Sequence, residues 1–134
     1  MQTKQQPAIV AWIIWISILQ GLFIIQWFAG GGFPTGVDTS EPPAILRFAP
    51  ALPALLALIV RFLVIPRLQR VEAQLPAMVV GLALAEGTGI VSMFLVDDAY
   101  GKTQLIHLIL SVLAILMMAP VFIGKKREAS PYLR

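Results

Sequence analysis

Apolar residues run through this chain in four long blocks, 8–29, 44–65, 76–96 and 103–122, and the polar residues collect in the short stretches between them. Each block holds roughly twenty residues, and at about 1.5 Å per residue it reaches roughly 30 Å, the thickness of the hydrocarbon core of a bilayer. No block alternates polar with apolar positions in the manner of a barrel strand. Backbone groups in lipid must pair within their own segment, so the pattern predicts an all-α polytopic membrane protein with four antiparallel transmembrane helices. A single membrane domain then covers 1–134, with 123–134 as a cytoplasmic tail.

The connections carry turn chemistry. Gly30, Gly31, Gly32, Pro34, Gly36 and the Pro42/Pro43 pair predict a flexible first loop that ends on proline. Pro66 ends the second helix, and Pro76 suits the first turn of the third, where a missing N–H matters little. Asp97, Asp98, Tyr100 and Gly101 predict a tight third connection. Within the second block, Pro50 and Pro53 predict a kink that frees carbonyls near Leu46 and Ala49.

Composition agrees with this reading, since 58% of the 134 residues are hydrophobic and only 13% charged, too apolar for water to be the only solvent. Four spans leave no room for a separate soluble catalytic or nucleic-acid-binding domain. The net charge of +3 does not point to nucleic acid, because the basic residues stand beside helix ends rather than along one polar face. Their placement sets orientation instead. Lys4, Arg61, Arg67, Arg70, Lys125, Lys126, Arg127 and Arg134 fall at one side of the predicted bundle, and only Arg47 and Lys102 at the other. Cytoplasmic segments retain positive charge, so both termini are expected in the cytoplasm of a cell membrane. The first apolar run is too long for a typical signal-peptide core of about 7 to 15 residues, and it is expected to be retained. Trp12 and Trp27 fit an interfacial aromatic belt, whereas Trp15 lies deeper.

Few residues carry candidate chemistry. Glu86 lies ten positions from each end of the third predicted span, where an ionised carboxylate costs at least ~2.5 kcal/mol, so it is expected to face the bundle interior and to be paired or protonated. Side chains lean toward the N-terminus of their helix, which tilts Glu86 and Arg61 toward each other from antiparallel neighbours. Gln20 falls at nearly the same depth. A proton or ion site built from Glu86, Arg61 and Gln20 is one reading; a carboxyl that fixes helix packing, with Arg61 snorkelling to the surface, is the other. Gly81, Ala85 and Gly89 recur every four residues, a spacing that lets helix backbones approach, either inside the bundle or between copies. Gln26, Ser92 and His107 share an outer depth and form a candidate polar cluster able to satisfy the carbonyls freed by the prolines. A lone histidine makes no metal site, and the absence of cysteine removes thiolate ligands and nucleophiles. No phosphate-binding glycine loop, paired catalytic carboxylates or Ser/His/Asp order is present, and neither an enzyme nor a bound cofactor is expected.

The run Gly81-Leu82-Ala83-Leu84-Ala85-Glu86-Gly87-Thr88-Gly89-Ile90, within residues 66–96, resembles the carboxylate-bearing half of the subunit c hairpin of rotary ATP synthases. By that resemblance Glu86 would bind a proton or sodium ion. The preceding helix departs from the family, whose first hairpin helix is rich in glycine; block 44–65 has none, and carries Pro50, Pro53 and Arg61. As a whole the chain resembles small four-helix membrane proteins of bacteria, which implies an inner-membrane location and no particular activity. The expected partners are therefore the lipid bilayer and either another copy of the chain or a larger membrane complex.

Overall fold

The computed structural model describes residues 6–123, so Lys4 and the basic cluster of Lys125, Lys126, Arg127 and Arg134 lie outside the described residues. Four helices follow one another: α1 (Gln6–Phe28), α2 (Ala44–Arg67), α3 (Val71–Leu95) and α4 (Gly101–Met117). Among the described residues there is no β-strand. The first three helices, of 23, 24 and 25 residues, are long and apolar enough to cross a membrane, and α4 is a shorter apolar helix of 17 residues.

Two boundaries differ from the sequence reading by five residues, and the others agree to within two, α2 running through Pro66 to Arg67. Helix α3 starts at Val71, five residues before Pro76, which therefore sits inside the helix rather than in its first turn. Residues 71–75 are mostly good helix formers, and Glu72 in the first turn faces the positive end of the helix dipole. Proline at 76 removes the N–H that would reach the Glu72 carbonyl, and exposed Glu72 leaves that carbonyl close to the solvent end of the helix. At the other end of the chain α4 stops at Met117 instead of running to 122. Pro120 forbids another helical turn, and two partners from other helices take up last-turn carbonyls: Trp15 Nε1 donates to Ile115 O at 2.7 Å and Arg61 Nε donates to Met117 O at 2.8 Å. Trp15 is thus an interior hydrogen-bond donor, which accounts for its depth.

Helix α2 is one rod with two irregular stretches before it closes on a 3₁₀ turn at Ile65–Arg67 around Pro66. A 3₁₀ turn at Ala49–Ala51 surrounds Pro50, and a π-helical turn at Val60–Val64 contains Arg61. Proline causes the first. Nothing in the sequence signals the second.

Packing is asymmetric. Helices α3 and α4 lie side by side as the centre of the molecule, with α1 against one flank and α2 against the other; α1 and α2 have no substantial contact with each other. The core between them holds Leu22, Met78, Leu82, Ala85, Ile115 and Met118, all buried. Glycine permits the closest approaches. A Cβ on Gly81 would strike the Met118 side chain, and one on Gly89 would stand 2.8 Å from Leu22 Cδ1 and 3.2 Å from Ser111 Oγ. Because α1 and α2 do not meet, one face of α3 is left uncovered, and Val79, Val80 and Ala83 are exposed along it. Large apolar side chains stand exposed elsewhere too, among them Ile13 on α1, Leu55 on α2 and Ile106 on α4.

The loops at one end are ordered by polar contacts. Gly31, Gly32 and Gly36 take positive φ, a conformation that glycine adopts without strain. The first loop then bridges to the third connection through Asp38 and Tyr100, with Thr39 N donating to Ala99 O at 2.8 Å. The loop expected to be flexible is thereby tied down.

Candidate functional site

Glu86 stands on α3 at the seam with α1. Its Oε1 lies 3.7 Å from the position a Cβ would occupy on Gly21, and the residue is partly exposed toward the uncovered face of α3. A side chain at position 21 would narrow this notch. With the helix beginning at Val71, Glu86 sits just past the α3 midpoint on its C-terminal side; the nine residues to Leu95 amount to about 13 Å. Among the described residues, no hydrogen bond or ion pair reaches its carboxylate; the one salt bridge there, Arg47–Glu41 at 2.9 Å, lies at the end of the bundle.

The structure does not gather Arg61 and Gln20 around it. Gly87 faces Pro53, with a Cβ on Gly87 3.7 Å from Pro53 Cβ, and Arg61 follows eight residues further along α2, about 12 Å away along the axis. Its guanidinium turns to α4, donating to the Met117 carbonyl and resting 4.3 Å from the centre of the Phe122 ring. There it compensates the negative end of the α4 dipole. Gln20 is exposed on α1, two residues and thus about 200° around the helix from buried Leu22, so it faces outward. The small residues resolve differently. Gly81, Ala85 and Gly89 are all buried inside the bundle, and Ser111 Oγ donates to the Ala85 carbonyl at 2.6 Å. The small-residue face is used within the chain and is not free to receive another copy.

A second polar cluster lies where loops one and three meet. His107 is buried, with Nε2 2.8 Å from the Arg47 carbonyl and Nδ1 3.0 Å from Ser92 Oγ. A carbonyl only accepts, so Nε2 carries a proton and donates to it, which in the neutral ring leaves Nδ1 to accept from Ser92 Oγ. This joins Ser92 and His107 to the irregular start of α2. Gln26 does not take part, because its Nε2 donates to Gly32 O at 3.0 Å and closes the end of its own helix. Sequence reasoning passed over two further members. Thr88 Oγ1 accepts the Ala54 N–H at 2.8 Å, supplying a partner where the proline-induced 3₁₀ turn disturbs the helical ladder. Asp38 accepts from Lys102 N at 2.9 Å, Thr103 N at 3.2 Å and Thr103 Oγ1 at 3.3 Å, capping α4 from a loop far away in sequence. Both contacts join residues far apart in sequence, so the sequence carries no local signal for either beyond the prolines of α2 and the lack of a side-chain cap at the start of α4.

Together these features make a bundle whose buried polar side chains are nearly all hydrogen-bonded, Gln74 Oε1 being the buried atom without a partner among the described residues, and in which the partly exposed carboxylate of Glu86 also stands without one. No group of three or more His, Cys, Asp or Glu residues able to hold a metal ion occurs among the described residues. Compared with protein-family models, with curated proteins and with solved structures, the chain matches none.

Proposed function

We propose that the chain is an integral membrane protein of four spans, with both termini cytoplasmic, that works by association with another membrane component through the open face of α3. The observation that carries this reading is the lone carboxylate of Glu86, partly exposed beside Gly21 well inside an apolar helix. Left in hydrocarbon, such a group costs ~2.5 kcal/mol or more, and a hydrogen-bond donor on a partner helix removes part of that cost. The exposed neighbours Val79 and Ala83 supply apolar surface for the same helix. At 17 residues α4 meets the lower limit of about 17 to 25 for a span, and the residues after it continue the apolar run. The concentration of lysine and arginine at one end supports the orientation.

The test uses the absence of native cysteine. A single cysteine at Ala83 is crosslinked in membranes, with glutamate or leucine at 86. Crosslinked complex is expected with glutamate and to fall by roughly fivefold with leucine, about 1 kcal/mol. Equal crosslinking in both, or none in either, overturns the reading.

The same unpaired carboxyl also favours a second reading, a proton- or ion-coupled element in which Glu86 changes protonation, as the resemblance to subunit c implies. Reconstituted protein then carries proton or sodium flux, and reacts with a carboxyl-directed carbodiimide in a pH-dependent manner. Both properties are lost in Glu86→Gln; flux that survives the substitution discards this alternative.

A further inference from the structure

Among the described residues, the end of the bundle formed by loops one and three has two basic side chains, Arg47 and Lys102, and both line the same recess. This cavity of about 340 Å³ lies between the start of α2 and the first turn of α4. Its floor is rigid. His107 is fixed at both ring nitrogens, and Asp38, the acidic group that lines the recess, is already occupied by two backbone N–H groups and a hydroxyl of α4. The walls are apolar, with Phe48 and Ile106 70% and 53% exposed and continuous with the apolar surface of α2 and α4.

The two cations remain available. Arg47 uses one Nη2 contact to Glu41, whose side chain is 86% exposed, and an ion pair so open to solvent is weak and readily displaced. The rest of its planar fork is free to grip a tetrahedral anion. Lys102 is exposed and has no ion-pair partner among the described residues. A recess with two cations at a rigid polar floor and an apolar wall beside it matches a phosphate joined to an apolar body.

We propose that this recess binds a phosphate-bearing group, held between Arg47 and Lys102, with its organic portion against Phe48 and Ile106. An anionic phospholipid headgroup and a soluble phosphate ester share this chemistry. The proposal is independent of the role given to Glu86.

The full chain is placed in nanodiscs of phosphatidylcholine with or without phosphatidylglycerol, and the lipid retained after detergent extraction is quantified by mass spectrometry. Inorganic phosphate is titrated into the phosphatidylcholine sample and followed by phosphorus NMR line broadening. Wild type is compared with the double variant Arg47→Gln/Lys102→Gln, and with Arg67→Gln/Arg70→Gln at the opposite end. Both pairs are exposed, and thermal unfolding checks that each variant folds. Preferential retention of phosphatidylglycerol by about thirtyfold, lost in the first variant and kept in the second, supports the lipid source. Phosphate broadening without lipid preference, lost in the same variant, supports the soluble source. Retention and broadening that are absent, or that survive Arg47→Gln/Lys102→Gln, overturn the proposal.

Discussion

Replacing Thr88 with valine changes little but one hydrogen bond, and that bond decides how α2 tolerates its prolines. Thr88 is fully buried, and its hydroxyl accepts the Ala54 N–H at 2.8 Å across the α2–α3 contact. Pro50 and Pro53 disturb the helical ladder just before Ala54, and the 3₁₀ turn at Ala49–Ala51 displaces the carbonyl that an ideal α-helix would offer to this amide. Valine matches threonine in shape, so no cavity opens and the substitution isolates the polar term. An orphaned buried N–H costs about 1 to 3 kcal/mol, whereas typical side-chain hydrogen bonds between membrane helices average about 0.6 kcal/mol, because the dissociated helices find other partners. The Ala54 amide has no such alternative in a helix that carries both prolines. A loss toward the upper figure, ~2 kcal/mol, is therefore expected for Thr88→Val, and a loss under about 0.5 kcal/mol for Thr88→Ser, which keeps the acceptor. Reversible unfolding in detergent micelles, or steric trapping in bicelles, measures both. A valine variant as stable as wild type would show that the α2 irregularity needs no help from α3.

Two other substitutions probe how the ends of α4 are closed. Asp38→Ala removes the acceptor of the Lys102 and Thr103 amides and is expected to lower stability by about 1 kcal/mol, with hydrogen exchange rising first at these two amides; unchanged exchange would contradict a capping role. Arg61→Met retains an apolar stem but loses the bond to Met117 O and the stacking on Phe122, with an expected cost of ~1 to 3 kcal/mol by thermal unfolding; Arg61→Lys should recover only part of it, since ammonium lacks the planar fork.

The residues themselves declared a helical chain of four apolar segments, of which three form helices long enough for a membrane and the fourth a shorter one, because length and apolarity are local properties and lipid-compatible backbone must be helical. Proline marked the 3₁₀ turn in α2, and Pro120 in fact carried the signal for the end of α4, although the apolar run continues past it. What stayed hidden was which faces meet. Gln20 and Glu86 share a depth, yet a rotation of about 200° between Leu22 and Gln20 turns the amide outward, and no periodicity distinguishes a helix apolar on all sides. The same holds for Arg61, whose tilt toward Glu86 gave way to the unpaired carbonyls at the end of α4. His107, Ser92, Thr88 and Asp38 acquire their roles only when α2, α3, α4 and the first loop come together, since each satisfies a backbone group distant in sequence. Sequence decides which segments are helical because that choice is made within a few turns of chain. Tertiary structure alone decides the pairing of polar groups, because in an apolar interior a donor takes whichever acceptor the packing of neighbouring helices leaves unsatisfied.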